Sequence, residues 1–271
     1  MQKEQKLGDR PEALATETQT QANFGSAPQS IFIGTSGWAY KAWQPEFYAP
    51  KLPQKQFLSY YATQLTAVEV NYTFRRLLSE KTIANWLAET PATFRFVVKA
   101  HQSITHFRHL KNAEEPLQRF LSSIQPVASA KRLGPVLFQL PESVKADTQL
   151  LDAFLANLPR ALRAAFEFRH TSWFDESIFE VLKRHNAALC IAESDDLQTP
   201  EVLTANFAYF RYRRSDYAAP ERKMIAAKLA ALAGQLDEIY AFFKHEEHPE
   251  SALMAVDVLR QLAPDVARKA G

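Results

Sequence analysis

Glu69, Lys99, Glu167 and Arg169 are ionisable residues, each standing at or near the C-terminal end of a short run of apolar residues. A carboxylate so placed can pass a proton to or from a substrate, and a neighbouring lysine or arginine can stabilise negative charge as it develops. Gln139, Arg211, Arg213 and Lys244 close later runs in the same way, and Thr35, Ser36 and Asn71 close earlier ones. His170 directly follows Glu167-Phe168-Arg169, so it is the histidine best placed for acid–base work. Cations outnumber acids in this set. An anionic substrate group, phosphate or carboxylate, is the expected partner, with Arg211 and Lys244 holding it.

These side chains can meet only if the runs are strands of one sheet. The strand candidates are 31–35, 67–71, 95–99, 136–140, 164–169, 188–192, 207–211 and 239–244, separated by longer helical patterns. That alternation predicts βα units and a parallel sheet. Eight strands in a chain of 271 residues fit an α/β fold of the closed (β/α)₈ TIM-type barrel kind. One domain is expected over 30–265, with a flexible tail at 1–29 and a short one at 266–271. The sixth connection, 194–205, is too short and polar for a full helix, so a turn or degenerate helix is expected there. An open doubly wound sheet is the alternative, yet the seven glycines form no G-x-G-x-x-G or Walker pattern.

Strand side chains alternate between the two faces of a sheet, and active sites of barrels lie at the C-terminal ends of the strands. If Val68, Val70, Phe96, Val98, Phe138, Leu140, Phe166, Phe168, Phe210 and Tyr212 face the helices, then Glu69, Asn71, Lys99, Gln139, Glu167, Arg169, Arg211 and Arg213 point inward or into the mouth. Mutual pairing of these charges is also required, because buried ions need partners. Trp38, Tyr40 and Trp43 follow the first strand and Trp173 follows the fifth, where they either stack on a flat ligand group or form an apolar lid on the rim.

Other chemistries leave weaker marks. His101, His106 and His109 cluster after the third strand, and His245 and His248 after the eighth, without H-E-x-x-H spacing, so no metal site is expected. Gly34-Thr35-Ser36-Gly37 lacks the G-x-S-x-G spacing of a nucleophile elbow. The lone Cys190 lies in an apolar run, which suits a small buried hydrophobe and excludes an internal disulfide. Thirty-two basic against 30 acidic residues are too balanced to coat nucleic acid by overall charge, although Arg211 to Arg214 with Tyr209, Tyr212 and Tyr217 could touch a phosphate backbone. No apolar run is long enough for a membrane span or signal segment, so a cytoplasmic location without membrane partners is expected, and no cofactor is indicated.

Several stretches resemble the YecE-like family, known as domain of unknown function 72. They are Ile33 to Trp38 with Trp43 and Phe47-Tyr48, Val68 to Asn71 with Thr73-Phe74, Phe94 to Lys99 with Ile104-Thr105-His106, Leu133 to Pro141, and Glu167 to His170 with Ser172-Trp173-Phe174. The resemblance implies a barrel and adds His106 to the residues that could contact substrate, but it implies no activity. Arg211-Tyr212-Arg213-Arg214 stands where Leu-His-Gly is common in the family, and Phe243-Lys244-His245-Glu246 where Phe-Asn-Asn is common. Both departures add cations to the mouth.

The residues are thus compatible with an enzyme, of hydrolase or lyase type, acting on a small anionic substrate. In it Glu69 or Glu167 would be the acid or base, and Lys99 and Arg169 would stabilise charge. A Schiff-base role for Lys99 would require a depressed amine pKa. The alternatives are a phosphodiesterase-like barrel that processes nucleic acid and a non-catalytic ligand-binding barrel.

Overall fold

The computed structural model describes residues 30–193, 197–244 and 248–269. The tail expected at 1–29 lies outside them, as do His245 and residues 194–196 of the sixth connection. Eight parallel strands run β1 (Ser30–Thr35), β2 (Ala67–Val70), β3 (Arg95–Lys99), β4 (Leu133–Gln139), β5 (Ala164–Glu167), β6 (Ala188–Glu193), β7 (Phe207–Tyr212) and β8 (Glu238–Phe243). Between them lie α1 (Phe57–Gln64), α2 (Glu80–Glu89), α3 (Glu114–Ser129), α4 (Thr148–Ala156), α5 (Glu176–Arg184) and α6 (Ala219–Leu232), with α7 (Glu250–Lys269) last. No helix occurs between β6 and β7 among the described residues. α7 continues past residue 265, beyond the end of the barrel expected from sequence.

The hydrogen-bonded order β1-β8-β7-β6-β5-β4-β3-β2 leaves β1 and β2 to meet, which excludes the open doubly wound sheet. They meet through side chains as much as backbone. The Tyr61 hydroxyl, carried in from α1, accepts from the Thr35 N–H at 2.8 Å and donates to the Ala67 carbonyl at 3.0 Å. Beyond it Ser36 and Glu69 form an isolated parallel bridge, and the Gly37 N–H donates to the Glu69 carbonyl at 2.9 Å. Gly34 makes this approach possible, because a Cβ there would collide with the Ala67 carbonyl and the Tyr61 hydroxyl. The result is a nearly closed (β/α)₈ barrel.

Alternation along the strands separates two apolar regions, as their period of two requires. Val68, Val70, Phe96, Val98, Phe138, Phe166, Phe168 and Phe210 pack outward against the helices. Inside the barrel, Phe32, Tyr209, Tyr240 and Phe242 from β1, β7 and β8 fill the space left by Ala67, Ala165, Ala188 and Cys190. Large residues on one wall thus complement small ones on the other, and this apolar plug is the floor on which the polar strand ends rest. The helices are fixed at their starts by side chains that accept otherwise unpaired N–H groups: Ser79 for α2, Asp147 for α4 and Asp175 for α5. No helix among the described residues is long and apolar enough to cross a membrane.

Because the clash at Gly34 is with backbone, it cannot be relieved by a rotamer change. Gly34→Ala is expected to cost more than about 3 kcal/mol, and Tyr61→Phe about 1–3 kcal/mol, in urea unfolding. Equal, small losses for both would show that the seam does not depend on this approach.

Candidate functional site

Above the apolar plug, Arg211 of β7 lies in the barrel interior with 2% of its surface exposed. Its Nη2 donates to Glu69 Oε1 at 2.8 Å, and its Nη1 pairs with Glu167 Oε2. One guanidinium therefore ties β7 to β2 and β5 across the lumen. Glu69 has further donors, Ser36 Oγ at 2.7 Å and the Tyr209 hydroxyl at 2.6 Å. Glu167 Oε1 faces Arg169 Nη2 at 2.5 Å and Arg213 Nη1 at 3.5 Å. Both carboxylates are fully buried.

Burial favours the neutral form of Glu69, but Arg211, Tyr209 and Ser36 outweigh it and hold its pKa below the usual carboxylate range. Burial likewise works against the charge on Arg211, yet Glu167 and Glu69 push its pKa well up. Tyr209 keeps its proton, because burial and the adjacent Glu69 both raise its pKa. The Cys190 thiol, on the same inner wall, is also pushed up by burial, as befits an inert packing residue.

Lys99 at the end of β3 differs from its charged neighbours. Among the described residues it makes no salt bridge; its Nζ sits 4.3 Å from the centroid of the Phe74 ring. The acids that could have paired with it are occupied by arginines. Burial, then the charge of Arg211, pushes its pKa down to about 8, against the smaller opposing pull of Glu167 and Glu69. Phe74 also meets the His106 ring edge-on, with centroids 4.7 Å apart. Burial and Lys99 lower the His106 pKa in turn.

A cavity of about 460 Å³ opens above this layer, lined by Asn71, Tyr72, Phe74, Arg75, Arg76, Lys99, Gln139, Arg211 and Lys244. Five of these are cations and none is an acid. Asn71, Lys99, Gln139, Arg211 and Lys244 of the sequence-derived set thus share one cavity, while Ser36, Glu69, Glu167, Arg169 and Arg213 form or contact the charged layer beneath or beside it. Tyr72, Phe74, Arg75 and Arg76 are lining residues that strand reasoning missed. They lie in the turn after β2, and their signal was the run Tyr72-Thr73-Phe74-Arg75-Arg76 just beyond a strand end.

The remaining residues of the set take structural positions. Thr35 Oγ1 bonds to the Gly37 carbonyl and the Tyr61 hydroxyl at the seam. Trp173 is fully buried, stacked on the outward Phe168 at 4.4 Å, and its indole N–H donates to the Val144 carbonyl. Trp38 packs edge-on against Trp86 of α2, so both tryptophans serve the helix-facing side of the rim. His170 Nδ1 accepts from the Ser172 N–H and lies 2.9 Å from Ser172 Oγ, which braces the loop after β5. Among the described residues no group of three or more His, Cys, Asp or Glu side chains is arranged to hold a metal ion.

Comparison with known proteins agrees with this architecture. The family model described as protein of unknown function DUF72 matches residues 32–270. The chain belongs to the DUF72 family. It is 25% identical to the YecE protein of Escherichia coli K12 over 229 residues, covering 75% of this chain and 81% of that protein. It is 29% identical to the YunF protein of Bacillus subtilis over 156 residues, which is 55% of this chain and 54%, about half, of YunF. The crystal structure of a DUF72 protein from Thermotoga maritima superposes with a TM-score of 0.78 at 27% identity, covering 87% of this chain and all of that one.

Two outcomes follow from the electrostatics. Arg211→Met takes from buried Glu69 its paired cation and from Glu167 one of three, and is expected to cost about 3–5 kcal/mol near neutral pH. The loss should shrink toward pH 5, because acid neutralises a carboxylate that has lost its counter-ion; a deficit independent of pH would contradict the pairing. For Lys99 the folded pKa lies below the unfolded one, so the unfolded chain binds more protons between them and stability gains as pH rises through about 8. Relative to Lys99→Met, the wild type should gain up to roughly 3 kcal/mol between pH 7 and 10 in chemical denaturation. Parallel curves would refute the depressed amine.

Proposed function

We propose that the DUF72 barrel of this chain is an enzyme that binds a small anionic substrate in the mouth cavity and uses Lys99 as its reacting amine. The observation that carries this reading is a half-buried lysine with no carboxylate partner among the described residues, facing a cationic cavity, with its pKa brought down to about 8. At pH 7 such an amine is roughly one-tenth neutral, a few hundred times the neutral fraction of an ordinary lysine. A neutral amine can take a proton or attack a carbonyl carbon.

On this reading the carboxylates take other roles. A base must be available to a substrate proton, whereas Glu69 is saturated by three donors and held ionised. Glu69 and Glu167 act as positioning residues: they fix Arg211 and leave Lys99 unpaired. Gln139, on the strand next to that of Lys99, and Lys244, at the end of β8, contact the bound anion, and Arg169 and Arg213 keep the field around Glu167 positive. Neither the carboxylates nor His170 then needs to touch substrate.

The test is reductive alkylation at pH 7 with glyoxylate, a small anionic carbonyl compound, and borohydride, followed by peptide mass mapping. Lys99 should be labelled ahead of the exposed lysines although it is half-buried, and inorganic phosphate should protect it. Labelling in order of exposure, unaffected by phosphate, would overturn the proposal.

A further inference from the structure

The mouth holds more cationic charge than one small anion needs. Arg75 and Arg76 line the same cavity as Lys99 and Lys244 but belong to the turn after β2, toward the rim, and both are exposed. That turn is fixed in place: Thr73 Oγ1, fully buried, donates to the Lys99 carbonyl at 2.7 Å and also reaches the Val70 carbonyl at 2.9 Å. The two arginines are therefore presented from a turn bonded to the strand that carries the reacting amine.

Elsewhere on the surface Arg119, Arg184, Arg214 and Arg222 each meet a carboxylate. Among the described residues Arg75 and Arg76 meet none, although they stand beside three further cations. Like charges gathered around one cavity raise the free energy of the empty site and lower that of a site filled by an anion. At about 460 Å³ the cavity falls within the range of sites that enclose whole metabolites, not a lone phosphate or carboxylate. Asn71 lines the same cavity, and its buried Oδ1 has no donor among the described residues. A buried acceptor left in this state asks for a hydroxyl or N–H from a ligand.

We propose that the cavity takes a hydroxylated small molecule with two anionic groups, one held at Lys99 and Lys244 and the other at Arg75 and Arg76, with a ligand hydroxyl donating to Asn71. This rests on the anion-binding mouth proposed above and specifies its substrate class. Arg75 and Arg76 are then specificity-determining residues: they distinguish a doubly charged ligand from its singly charged counterpart. Exposed arginines from a turn can do this without disturbing the buried charge layer.

The experiment is calorimetric titration of the full chain with fructose 6-phosphate and fructose 1,6-bisphosphate at fixed 150 mM salt, for the wild type and for Arg75→Ala/Arg76→Ala. The bisphosphate should bind at least about tenfold tighter to the wild type, and the double variant should lose that advantage while its affinity for the monophosphate stays within about twofold. An unchanged melting temperature would confirm that the variant is folded. Equal affinity for the two sugars, or equal weakening of both in the variant, would overturn the inference. If phosphate-protected labelling of Lys99 persists in that case, the anion site stands and only the second subsite falls. If neither sugar binds and that protected labelling also fails, both proposals fall.

Discussion

The polar half of this barrel is organised by one buried guanidinium. Arg211 spans the lumen to Glu69 and Glu167, so residues from three strands share a single charge network. Such a network is costly to assemble, since each ion gives up its hydration, and it persists only because every carboxylate oxygen meets a donor or a guanidinium. Ser36 and Tyr209 complete the shell of Glu69, while Arg169 and Arg213 crowd Glu167. Stability here is therefore tied to composition: removing one member leaves the others charged and dry.

The lowered pKa of Lys99 is a by-product of that arrangement. Had either glutamate been available, a salt bridge would have fixed the amine in its protonated form. Because arginines claim both, Lys99 is left with an aromatic face, a nearby positive charge and little water. Desolvation and like charge act in the same direction on an amine, which is how a lysine is brought toward neutrality without any dedicated base. The network that ties the strand ends together and the lowered pKa of the amine above it are two aspects of one distribution of charge.

Much of this was legible in the sequence wherever a strict period applied. A strand has only two faces, so outward Phe166 and Phe168 were enough to direct Glu167 inward, and outward Phe210 and Tyr212 did the same for Arg211. Loops have no such period. Trp38, Trp173 and His170 follow strand ends in the chain, yet they turn toward the helices or brace their own loop. Arg75 and Arg76 were illegible for the same reason: a turn's direction is set by Thr73 reaching across to β3, a tertiary bond that no local pattern announces. Roles were harder still. Glu69 and Lys99 both look like proton carriers in isolation, and only their partners separate the locked acid from the unpaired amine.

The seam between β1 and β2 gives the cylinder a built-in weak line. Elsewhere neighbouring strands are stitched by successive backbone rungs, but here a phenol from a surface helix stands in for one. Parting the wall at this line breaks few backbone hydrogen bonds and brings water beside Ser36 and Glu69. The charged layer thus adjoins a stretch of wall that is held in part by a side chain of α1.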